Sequence, residues 1–116
     1  MEHITTTAAS QVFIYEECLK YFQKPEIVRE VIPMFKQCLI QDRLGLNIAF
    51  KEKNWNKVSF FIDKILGGAL YCGTPRLCQA LRDTAPAVKG KVLLQPSLDK
   101  VNEEIDAVLA AISDVK

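Results

Sequence analysis

The chain has 116 residues, 49% of them hydrophobic and 25% charged, with a formal net charge of +1. This composition suits one soluble globular domain over residues 1–116 and is far too apolar for a disordered tail. The balanced charge offers no basic surface for nucleic acid or an anionic membrane. The longest uncharged stretches, Ile4–Tyr15 and Ile65–Pro75, are too short to span a bilayer. The opening MEHITTTAASQV has an early acid and lacks the apolar segment of a signal peptide, so the expected location is the cytoplasm or the cytoplasmic side of a larger receptor. A start at Met1 favours a free-standing chain.

Apolar residues recur at intervals of three and four rather than two, which predicts helices and no strands. The first helix is expected over Ala9–Phe22, with Phe13, Ile14, Cys18 and Tyr21 on one stripe and Ser10 as its cap. Pro25 and Glu26 suit the first turn of a second helix. That helix should run for about 25 residues on the beat of Ile27, Val31, Met34, Phe35, Cys38, Leu39, Leu44, Leu46, Ile48 and Phe50. Pro33 lies within it, where it either kinks the helix or marks a later start.

Asn54 is the expected cap of a third helix, with Trp55 packed at its start and its end near Tyr71. Gly73 closes that helix, and Thr74 and Pro75 open the fourth as cap and first-turn proline. The fourth is expected over Pro75–Ala85, stopping before Pro86. Pro96 then opens a last helix with Leu98, Val101, Ile105, Val108, Leu109 and Ile112 as its buried stripe. Four amphipathic helices with short connections, preceded by a short additional N-terminal helix, predict an all-α antiparallel four-helix bundle.

The third helix carries an unusual outer surface. At about 100° per residue, Val58, Phe61, Ile65, Gly68, Ala69 and Cys72 fall on one side as the core stripe, flanked by Ile62. The opposite side centres on Asp63, surrounded by Ser59, Phe60, Leu66, Gly67 and Leu70. A solvated face would carry Lys, Glu or Gln instead. Gly67 costs about 1 kcal/mol of helix stability relative to alanine and gains no packing on the outside. Close approach of a partner to the backbone accounts for it, and the apolar rim fits a docking site. The alternative is that the first helix or the chain ends cover Leu66 and Leu70. Gly68 points inward, where it permits close packing between helices.

The four cysteines, 18, 38, 72 and 78, form no CxxC pair, and the single histidine, His3, lies outside the expected helices. They are read as buried free thiols, not metal ligands. With no nucleophile–histidine arrangement, phosphate loop or metal cluster, the chain is expected to be neither an enzyme nor a cofactor binder.

These residues resemble a known family. Counting from Asp63, Lys64 stands at +1, Gly67 at +4, Gly68 at +5 and Gly73 at +10, followed by the helix start GTPRLCQALRD. Histidine phosphotransfer (HPt) domains of bacterial phosphorelays carry that pattern after a mid-helix histidine, often with lysine at +1 or +3. The upstream run VIPMFKQCLIQDRLGLNIAFKEKNWNKVSFFID is similar to the segment preceding that histidine, so the resemblance covers roughly Ile27–Asp83. Two departures stand out: Asp63 occupies the position of the histidine, and Leu66 that of the +3 lysine. A neutral imidazole nitrogen attacks an aspartyl phosphate, and a lone carboxylate does not. The resemblance therefore implies the fold and docking surface of a pseudo-HPt domain, without the phosphotransfer.

The implied partner is a response-regulator receiver domain or a histidine kinase, whose relay the chain would modulate or inhibit. Phe60, Leu66 and Leu70 would supply apolar contact, Gly67 close approach, and Lys64 and Ser59 the polar rim. Lys51, Lys53, Lys57 and Lys64 either steer an acidic partner face or are plain solvated surface. The expected state is a monomer, with a homodimer possible. Two other readings stay open. One is a helical adaptor, chaperone or homodimerising module unrelated to phosphorelays; the other is an ordinary HPt domain with an engineered His→Asp change.

Overall fold

A computed structural model of the chain describes residues 11–93 and 95–113. His3, Ala9 and Ser10 lie outside those residues, but residues 11–14 of the helix expected from Ala9 are not helical: it begins only at Tyr15, with Ile14 rather than Ser10 at its N-cap. Five helices follow one another: α1 Tyr15–Phe22, α2 Pro25–Lys51, α3 Trp55–Tyr71, α4 Pro75–Lys89 and α5 Gln95–Ile112. No strand occurs among the described residues.

Local chemistry sets most of the boundaries. Gln23, in the left-handed region at φ 73, closes α1 and donates its N–H to the Leu19 carbonyl. Pro25 begins α2, whose last turn unwinds through Lys53 at φ 56. The Asn54 side chain accepts the Lys57 N–H at 3.2 Å and starts α3. Gly73, at φ 67, ends it. Thr74 departs from expectation: its hydroxyl donates to the Ala69 carbonyl at 3.0 Å, tying down the end of α3 and leaving the α4 N–H groups uncapped by that side chain.

Prolines do less than the sequence implied. α2 runs unbroken through Pro33, and α4 continues past Pro86 to Lys89 rather than stopping at Ala85. Both rings are exposed. Each removes one N–H from its ladder, and the carbonyls that lose a donor belong to exposed residues, Arg29 and Arg82, which water can serve.

α2 packs against α3, α3 against α4, α4 against α5, and α5 returns to α2, closing a four-helix bundle; α1 lies across α2 and α3. One core cluster runs through it, with Leu39, Leu46, Ile62, Ile65, Leu77, Leu81 and Ile105 fully buried. α5 buries its expected stripe, except that Leu109 is half-buried.

The apolar beat of α2 proves to be two faces. Val28, Ile32, Phe35, Leu39, Leu46 and Ala49 point inward, while Ile27, Met34, Leu44 and Ile48 are exposed, as is Ile40. A helix apolar around most of its circumference gives no single stripe to read. For the same reason Cys38, expected inside, is exposed, whereas Cys18, Cys72 and Cys78 are buried.

Two acids are buried that the apolar pattern did not mark. Glu104 in α5 is held by Arg76 Nε at 3.0 Å and Lys100 Nζ at 2.8 Å. Asp42 in α2 is paired with Lys64. Among the described residues, no helix is long and apolar enough to cross a membrane.

Candidate functional site

The outward face of α3 is built largely as its period dictates. Val58, Ile62, Ile65 and Ala69 anchor the helix in the core. Asp63, on the opposite side, is therefore exposed in mid-helix. Phe60 and Leu70, one turn before and nearly two turns after it, are 58% and 48% exposed. Ser59 is half-buried. Gly67 is open: a Cβ built there meets nothing within 4 Å. Gly68 behaves as the inward glycine it was expected to be, since a Cβ on it would sit 3.2 Å from the Phe35 ring.

Leu66 is a correction. It is half-buried and packed against the core, so it is not a free element of the apolar rim.

Lys64 is also placed differently from a free rim lysine. Its Nζ lies 3.0 Å from Asp42 Oδ1, across the α2–α3 interface. Asp42 is 5% exposed and Lys64 about half exposed. The hydrogen bond and charge of Asp42 raise the Lys64 pKa above the ordinary lysine value, against a smaller opposing effect of burial. The cation beside Asp63 is thus already partnered. Among the described residues, no three His, Cys, Asp or Glu side chains converge to hold a metal ion.

The face continues onto α2 and α1. A groove of about 230 Å³ is lined by Phe22, Met34, Cys38, Lys64, Gly68 and Tyr71, among others. Tyr71 stacks on Tyr21 of α1 with ring centroids 4.4 Å apart. At the other end Phe60 meets Phe61 edge-on at 5.2 Å, and Gly45 of α2 makes room for the Phe61 ring.

No protein-family model matches the chain, and no curated protein does. A solved structure does match. It is the crystal structure of the HPT domain from the Hpt sensor hybrid histidine kinase from Shewanella, with a TM-score of 0.81 and 19% sequence identity, over 94% of this chain and 95% of that one.

The chain has the HPt domain fold.

Within that HPt fold, the structure brings Ser59, Phe60, Asp63, Gly67 and Leu70 to one surface, and turns Gly68, Gly73 and Pro75 to structural uses. Sequence reasoning missed Asp42, Met34 and Tyr71 beside this HPt-fold surface. Asp42 did leave a signal: it stands between Leu39 and Leu46 on the stripe of α2 that faces the core, where a carboxylate requires a cation. Tyr71 left one too, since eight residues after Asp63 it falls about 80° from it around α3, on the same side as Phe60; Met34 left none, because α2 is apolar around most of its circumference.

Proposed function

We propose that this domain is an HPt-like docking module without a phosphoaccepting histidine. It binds a receiver domain or histidine kinase and modulates or inhibits the relay rather than carrying phosphate. The observation that supports this most is Asp63, an exposed carboxylate at the centre of the outward face of α3, at the position the glycine spacing assigns to the histidine. An imidazole nitrogen can take a phosphoryl group and release it again; among the described residues no acids converge with the Asp63 carboxylate to assemble a metal-assisted aspartyl phosphate.

In this reading Phe60 and Leu70 supply the apolar contact, and Gly67 lets the partner approach the helix backbone. Ser59 and Lys64 meet the rim, with Lys64 held by Asp42. Leu66 is half-buried against the core and offers the partner less surface than Phe60 or Leu70. No catalytic role is assigned to any residue.

The test compares wild type, Leu70→Asp and Asp63→His against a panel of receivers. Wild type should capture receivers and Leu70→Asp should not. Asp63→His should accept phosphate from a phosphorylated receiver that wild type only binds. Failure of wild type to bind any receiver overturns the reading.

A second reading has its own support. Ile40, Leu44 and Ile48, spaced four apart on α2, form an exposed aliphatic stripe with exposures of 43%, 63% and 48%. Such a stripe suits self-association. Sedimentation of wild type and Leu44→Asp separates the readings: a dimer lost on substitution favours the homodimer.

A further inference from the structure

Three of the four thiols are buried, and two of them adjoin across separate elements. Cys18 is the only fully buried residue of α1, at 0% exposure, and Cys72 caps α3 at 2%. Their proximity follows from the backbone. The Ile14 N–H, one turn before Cys18, donates to the Gly73 carbonyl at 2.7 Å, immediately after Cys72. Gly73 packs so closely on Ile14 that a Cβ there would run into its carbonyl. That junction sets Cys18 and Cys72 near each other, close enough for each to bear on the ionisation of the other.

We infer that Cys18 and Cys72 form a reversible disulfide site that fixes α1 to the α3–α4 turn, with a low-molecular-weight disulfide such as glutathione disulfide as oxidant. The closed protein does not react, since burial raises both thiols, Cys72 to about 12. Access comes from local opening of α1, which has eight residues and is too short to hold its own helix. Once open, the Cys18 thiolate attacks one sulfur of glutathione disulfide and releases one glutathione. The Cys72 thiolate then attacks the Cys18 sulfur of the mixed disulfide and releases the second. The two protein sulfurs are oxidised, glutathione disulfide is reduced, and the two thiol protons end on the released glutathiones.

The site bears on the groove beside Asp63. α1 supplies Phe22 to its lining and Tyr21 to the stack on Tyr71. The oxidised form keeps that wall in place, and the reduced form lets it open.

The experiment incubates the full chain with glutathione disulfide, with and without mild urea, followed by acid quench and non-reducing peptide mapping. The expected product has lost two hydrogen atoms, carries a Cys18–Cys72 link, forms faster in urea, and shows slowed amide exchange across Leu19–Gln23. Cys38→Ser and Cys78→Ala should retain the link and Cys72→Ala should lose it. Should a variant fail to fold, the wild-type map decides alone. A Cys72–Cys78 link, adducts confined to Cys38, or Cys18 and Cys72 still free after opening in urea overturns the inference.

Discussion

Replacing Gly67 with alanine isolates what that glycine does. It lies within the seventeen-residue α3, and an added Cβ meets no atom within 4 Å. The methyl group therefore neither clashes nor packs, and only the backbone term remains. That term favours alanine by about 1 kcal/mol inside a helix. For a domain of this size the gain corresponds to a rise in Tm of about 4 °C. Thermal and urea unfolding followed by far-UV circular dichroism measure it. Two neighbouring substitutions calibrate the result. Gly68→Ala brings its methyl to 3.2 Å from the Phe35 ring, so the same backbone gain is offset by packing strain and the net change is small. Gly45→Ala drives a methyl into the Phe61 ring and should destabilise by about 1–3 kcal/mol. Unchanged or reduced stability in Gly67→Ala, or an equal gain in Gly68→Ala, would refute the reasoning. The functional half follows separately: the more stable Gly67→Ala protein should bind a receiver more weakly, because the methyl occupies the space the partner needs.

Four further outcomes are expected. Burial pushes the Glu104 carboxyl up, but hydrogen bonds and charge from Lys100 and Arg76 outweigh it, so its pKa lies below the ordinary Glu value. Its contribution to stability is complete above the ordinary Glu range and is lost as pH falls through the lower folded value. Glu104→Gln should therefore flatten the acid limb of the stability–pH curve, measured by urea unfolding at stepped pH. Lys64→Ala leaves the buried Asp42 carboxylate unpaired and should lower Tm, with Asp42→Asn partly restoring it in the double variant. A thiol reagent should modify Cys38 rapidly, Cys18 and Cys72 slowly as α1 opens, and Cys78 only on unfolding, as read by mass spectrometry over time. Asn54→Ala removes the cap on the Lys57 N–H and should cost about 1 kcal/mol in urea unfolding.

The sequence alone was enough for the order of the helices, the bundle and most of the face of α3. Asn54, Gly73, Pro25 and Pro75 are local instructions, acting within one turn of themselves, and the structure follows them. The period of α3 separates Asp63 from Ile62 and Ile65 without reference to any other helix. Tertiary structure decided the remainder. α2 is apolar around much of its circumference, so only the positions of α3 and α5 determine that Leu39 is inside and Leu44 outside. Pro86 reads as a stop, yet its exposed position lets α4 continue. Asp42, the partner of Lys64, lies 22 residues away on α2, and Arg76, the cross-helix partner of Glu104, 28 residues away on α4, distances over which spacing says nothing about contact. Leu66 is half-buried against the core, whereas a Cβ at Gly67, one residue on, would meet nothing. Periodicity fixes an angle around a helix axis; only packing determines which angles meet a neighbour and which meet water.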